Sequence, residues 1–315
     1  MGCMGFRHAV AGVLVPAVVF AGEVAPPQIA LRFVTSFGQK GGGEGQFHQP
    51  GGIAVGPLGL VYVADTGNDR VQKFDSKGNY HSEVGGFGWE DARFNEPVGL
   101  ATSRGLKIYV ADSRNDRIQI FGPHLQLLAV VGGRDVEGPH PLASLGGIAV
   151  SLDGEIFVSD TDADQIIQIS SYSTTDRTFG GYGYGSGKLR RPLGIAVGKK
   201  GDVYVSDGEN GRVAIFDAFG SFKGSLGDGS LSEPSGLCLG PKQTLFVADT
   251  GHHRIIVYDL KNKTFVDRFG GPRAGADPEA FNQPRGVAMG PNDVLYVLDS
   301  GNSRVQMFRV LVLRK

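Results

Sequence analysis

Apolar residues in this chain come in short runs, and no stretch keeps a helical period for a dozen residues. The segment from residue 52 to residue 84 shows the grammar. Gly52–Val55, Leu60–Ala64, Val71–Phe74 and Tyr80–Val84 are rich in Val, Phe, Tyr and Ala. Gly, Pro, Asp and Asn separate them. Runs of this length and composition, bounded by turn formers, predict four β-strands.

The same text then returns five times. Copies begin at Pro50, Pro97, Leu145, Pro192, Pro234 and Pro284, and a glycine follows two residues later in each: Gly52, Gly99, Gly147, Gly194, Gly236 and Gly286. An aspartate stands 15 residues after each start, at Asp65, Asp112, Asp160, Asp207, Asp249 and Asp299. Five copies place an arginine five residues further on, at Arg70, Arg117, Arg212, Arg254 and Arg304; the third has Gln165. Successive aspartates are 42 to 50 residues apart. Four strands at this period describe one blade of a propeller. The chain is therefore expected to be all-β, a six-bladed β-propeller with four antiparallel strands per blade.

The two ends of the repeat region fit a closed ring. Leu31–Phe37 reads as a fourth strand with no blade before it, while the last copy stops after its third strand, Val305–Val310. The N-terminal strand is expected to complete the last blade, which removes exposed sheet edges. The first strands, such as Gly-Ile-Ala-Val and Gly-Leu-Cys-Leu, carry no charge and suit a crowded axis.

Composition changes the picture in three places. Charge is nearly balanced, with 31 Lys and Arg against 32 Asp and Glu, so no long-range field favours nucleic acid or an anionic membrane. Gly at 50 of 315 residues falls mostly at turns and punctuates the repeats. The N-terminus has Arg7 and His8, an apolar run from Ala9 to Phe20, then Ala21. That is the order of a secretory signal. Residues 1–21 are expected to be a cleaved leader and 22–315 an extracytoplasmic propeller, periplasmic or secreted. Membrane contact is expected only if the leader is retained. Cys3 lies in the leader and Cys238 in a first strand, so no internal disulfide is expected.

The run Val-Tyr-Val-Ala-Asp-x-x-Asn-x-Arg-Val-Gln-x-Phe resembles the NHL repeat, and the resemblance covers all six units, with the third degenerate. A single tryptophan, Trp89, excludes WD40 and kelch blades. The aspartate ends a second strand and the arginine opens a third. The pairs Asp65–Arg70, Asp112–Arg117, Asp207–Arg212, Asp249–Arg254 and Asp299–Arg304 are therefore expected to pin hairpins, each worth about 0.2–1 kcal/mol as surface pairs.

Function is expected on the face that collects those hairpins and the connectors between blades. The connectors are Gly38–Gln49, Gly85–Glu96, Gly132–Ser144, Gly180–Arg191, Leu226–Glu233 and Gly270–Gln283. They supply Phe47, His48, Trp89, His140, Tyr182, Tyr184, Arg190, Arg191 and Arg273. Trp89, Tyr184, Arg191 and Arg285 are the candidate partner-binding residues, because aromatic and arginine side chains anchor interfaces.

The resemblance extends at fold level to a zinc lyase acting on peptidyl-hydroxyglycine, whose histidines follow the blade proline. Gly51, Val98, Gly146, Leu193, Ser235 and Arg285 stand there instead. Asp160, Asp162 and Asp164 alternate but lack the glycine and distal glutamate of a calcium loop. No catalytic residue, metal or cofactor is expected. The reading is a monomeric binding scaffold for a protein, peptide or glycan partner, without nucleic acid. The alternative is a propeller enzyme, lyase-like or lactonase-like, working at the channel mouth.

Overall fold

The structure, a computed structural model, describes residues 27–104, 106–133, 141–170 and 177–313. The expected leader and His140 lie outside these residues. Six four-stranded antiparallel sheets follow one another as blades of an all-β propeller. Blade 1 consists of Gly52–Val55, Val61–Asp65, Arg70–Phe74 and Tyr80–Gly85, in that order from axis to rim. Blades 2 to 6 open with Pro97–Thr102, Leu145–Val150, Pro192–Val197, Pro234–Leu239 and Pro284–Gly290.

Burial grades outward and explains the composition of each strand. Every residue of Val61–Asp65 is buried, and its counterparts Ile108–Asp112, Ile156–Asp160 and Val203–Asp207 are the same. A strand packed between neighbouring blades has no wet face, so it reads as continuous apolar text. The outermost strand Tyr80–Gly85 alternates half-buried and exposed positions along most of its length.

The glycine two residues into each blade has a steric reason. A Cβ added to Gly52, Gly99, Gly147, Gly194 or Gly236 would fall within 3.0 Å of a backbone carbonyl oxygen on the next blade's first strand. At Gly286 it would meet the Ile53 side chain at 2.7 Å. Six first strands converge on one axis, and only a residue without a side chain admits its neighbour there. Hydroxyls bridge the same seam. Thr66, Ser206, Thr250 and Ser300 donate to the carbonyls of Pro97, Ser235, Pro284 and Pro50, and the last bond joins blade 6 to blade 1.

The ring closes as the sequence predicts, over a longer span. Gln28–Phe37 pairs antiparallel with Arg304–Leu313, from Gln28 opposite Leu313 to Phe37 opposite Val305. The expected Leu31–Phe37 falls three residues short at its start, and Val305–Val310 falls one residue short at its start and three at its end. Polar and apolar positions alternate weakly at those ends, so composition alone understates the pairing. Phe33 meets Phe308 in its own blade at 5.8 Å and Phe37 meets Phe74 of blade 1 at 4.9 Å. The closing strand thus ties two blades as well as completing one.

Candidate partner-binding face

Each Asp…Arg hairpin is the hub of a buried network that fastens a connector to its blade. In blade 2 the Asp112 carboxylate is fully buried. It accepts from Asn115 Nδ2 at 2.9 Å, Arg117 Nε at 2.7 Å and the Asn95 backbone N–H at 2.8 Å. Arg117 spends its remaining donors on connector carbonyls, reaching Trp89, Glu90 and Arg93 at 2.7–2.8 Å. Blades 1 and 6 repeat the plan around Asp65 and Asp299, with Arg70 and Arg304 holding their own connectors. Asp207–Arg212 and Asp249–Arg254 pair at 2.8 and 2.6 Å. These pairs are not surface pairs, because the connectors close over them. The value of about 0.2–1 kcal/mol for an exposed pair does not apply; removing one partner of a buried pair costs about 3–5 kcal/mol.

A second shared feature went unread in the sequence. Three residues before each blade start stands Phe47, Phe94, Leu142, Leu189, Leu231 or Phe281, all buried. Each plugs the gap above its own third strand, as Phe94 does against Phe121 and Phe281 against Phe308. Phe47 is therefore part of the packing and no part of an exposed surface. The signal was present as an apolar residue at a fixed offset of three before all six starts.

The remaining connector side chains face solvent in a pattern. Phe87 and Trp89 are 66% and 67% exposed, and Tyr182 and Tyr184 are 67% and 68% exposed. The two sets occupy equivalent places, because Phe87 bridges to Phe94 and Tyr182 bridges to Leu189 in the same parallel geometry. Trp89 and Tyr184 thus lie on one face, on the connectors that lead into blades 2 and 4. The Trp89 carbonyl is fixed by Arg117. The Arg190 guanidinium carbon sits 4.6 Å from the Tyr184 ring centre and 5.8 Å from that of Tyr182, and Arg190 also pairs with Glu209. This stack holds the tyrosines in place through cation–π attraction, against the cost of their rotamer freedom.

Arg191 and Arg285 belong to a different part of the face. Both are exposed and both line a central funnel of about 310 Å³, with Glu233. Below them the wall is the glycine-rich first strands, together with the hydroxyls of Thr161, Ser235 and Thr250. The four candidates therefore fall into two groups, aromatic anchors on connectors and arginines at the channel mouth. Phe87, Glu233 and the Arg190 stack join them. Arg273 and His48 are exposed elsewhere on connectors. Among the described residues no group of three His, Cys, Asp or Glu side chains could hold a metal ion, and burial pushes the Cys238 thiol up.

Comparison with known proteins locates the repeat. The NHL repeat matches residues 47–74, 94–121, 189–216, 231–258 and 281–308. Each match starts on a plug residue and ends on the third-strand aromatic beneath it; blade 3, where Gln165 replaces the arginine, is not among them. Protein brain tumor of Drosophila melanogaster is 26% identical over 209 residues, 64% of this chain and 15% of that protein. Protein lin-41 of Caenorhabditis elegans is 46% identical over 50 residues, 16% of this chain and 4% of that protein. The chain thus spans only a small part of these relatives. A streptogramin B lyase structure superimposes with a TM-score of 0.63 at 13% identity, covering 90% of this chain and 98% of the other. At that identity the likeness concerns the fold.

Proposed function

Because the chain is an NHL-repeat β-propeller, we propose that it is an exported binding scaffold that holds a protein, peptide or glycan partner on its connector face. The observation that carries this reading is the equivalent pair of exposed aromatic sets, Phe87 with Trp89 and Tyr182 with Tyr184. Exposed large aromatics on a framework fixed by buried ion pairs offer apolar area at little ordering cost. A broad loop-bearing face suits a macromolecule. Export rests on the leader-like order of residues 1–21.

The test is Trp89→Ala combined with Tyr184→Ala. Both side chains are two-thirds exposed, so thermal stability should change little. Binding of material recovered with the wild-type protein from its native extracytoplasmic fraction should fall at least tenfold, read by quantitative mass spectrometry. Unchanged recovery with an unchanged melting temperature would remove the aromatic sets from the function.

A further inference from the structure

The rim of the funnel is built by one backbone device used six times. Gln49, Glu96, Ser144, Arg191, Glu233 and Gln283 each stand one residue before a blade start, and all six are left-handed, with φ between 44° and 54°. None is glycine, although glycine takes this conformation without the cost of about 1–2 kcal/mol that other residues incur. The preceding blade sustains the turn at several of them. The Arg191 N–H donates to the Asp164 carboxylate at 2.6 Å and the Glu96 N–H to Asp69 at 2.8 Å. The fold therefore turns every connector into its first strand through a side-chain-bearing residue at the mouth.

Of these six, Arg191 and Glu233 line the funnel, and Arg285 joins them from the second position of blade 6. Among the described residues that line the funnel, Arg191, Glu233 and Arg285 carry the charge. The counterparts of Arg285 in blades 1 to 5 are Gly51, Val98, Gly146, Leu193 and Ser235, and the rim residue Glu96 of blade 2 is paired with Arg114. No ion pair engages Arg191, Arg285 or Glu233 among the described residues, although Arg70, Arg117, Arg212, Arg254 and Arg304 all have one. Two guanidiniums against one carboxylate leave the mouth with a single positive charge. A cavity of about 310 Å³ lies at the small end of the range for ligand pockets.

We propose that this funnel binds a carboxylate, with Arg191 and Arg285 as its cationic ligands; the hydroxyls of Thr161, Ser235 and Thr250 beside them already donate to the carbonyls of Ser144, Arg285 and Pro284. A guanidinium fork matches a planar carboxylate. The single net charge suits a monoanion, and Glu233 disfavours a dianion such as phosphate. The carboxylate could come from the end of a polypeptide or from an acidic side chain, so the probes separate the two. The inference deepens the reading of the connector face as a binding surface and rests on it.

The experiment is calorimetric titration of the full chain with three short peptides of one sequence. One ends in a free carboxylate, one is amidated, and one is amidated with an internal glutamate; inorganic phosphate is the fourth probe. At least one carboxylate peptide should bind, and the amidated neutral peptide should bind at least tenfold more weakly. Which of the two acidic peptides binds better assigns the source. Arg191→Gln with Arg285→Gln should weaken that binding at least tenfold, Glu233→Gln should tighten it, and Arg273→Gln on another connector should leave it unchanged. Each variant is to be matched to wild type by thermal melting, and Arg285→Gln alone serves if the double variant unfolds. Binding of neither acidic peptide, equal binding of the amidated neutral peptide, tighter binding of phosphate, or indifference to the arginine substitutions would overturn the proposal. The connector-face reading fails separately, through the Trp89 and Tyr184 variants.

Discussion

Asp160 shows what the arginines do by lacking one. Its carboxylate is buried like its five counterparts, yet its side-chain partner is Gln165 Nε2 at a long 3.4 Å. Burial outweighs the Ala163 N–H bond and raises its pKa. A raised folded-state pKa means that ionised Asp160 costs stability above that pKa, and that the cost is relieved as pH falls through it. Gln165→Arg should restore the pair, lower the Asp160 pKa and stabilise the protein at pH 7 by about 1.4 kcal/mol for each unit of that lowering. Urea unfolding as a function of pH checks this. The gap between variant and wild type should be full at neutral pH and should narrow on acidification through the wild-type Asp160 pKa. A gap independent of pH would contradict the assignment. The partners in these pairs were legible from spacing alone. Their burial was not, because the atoms that cover them belong to connectors that differ in length and composition.

At the scale of the element, two fixed offsets build each blade: a glycine two residues after the start and an apolar plug three residues before it. The glycine was visible as a pattern, but its cause lies in the neighbouring blade. Gly194→Ala would press a Cβ onto the Ser235 carbonyl and the Gly236 backbone. Both are first-strand backbone and cannot swing aside, so a loss of about 1–3 kcal/mol is expected. Gly185→Ala, with no atom within 4 Å of the added carbon, should be near neutral. Equal midpoints in denaturant for the two variants would show that the first strands have room to spare. The plug escaped notice for a plain reason. It alternates between Phe and Leu inside loops of eight to fourteen residues, where neither strand nor helix periodicity draws attention to one apolar position.

The whole molecule offers two faces, and both expose large apolar side chains. Leu58, Leu152 and Phe219, between 51% and 74% exposed, stand singly on turns of the opposite face. Isolated side chains of that kind are ordinary on protein surfaces. The connector face differs in carrying aromatics as matched sets around a charged central mouth. Ring closure was readable because an unpartnered strand at each end leaves one arrangement that removes both edges. The site was only partly readable. Trp89, Tyr184, Arg191 and Arg285 could be nominated by residue type, but their division into rim aromatics and funnel arginines depends on which side chains the connectors bury. Side-chain footprinting of the protein, alone and bound to the material it recovers from its native fraction, tests the choice of face most directly. Protection of Trp89, Tyr182 and Tyr184 is predicted, with Leu58, Leu152 and Phe219 labelled as in the free protein. Protection of those three with Trp89, Tyr182 and Tyr184 left accessible would place the partner on the other side of the ring.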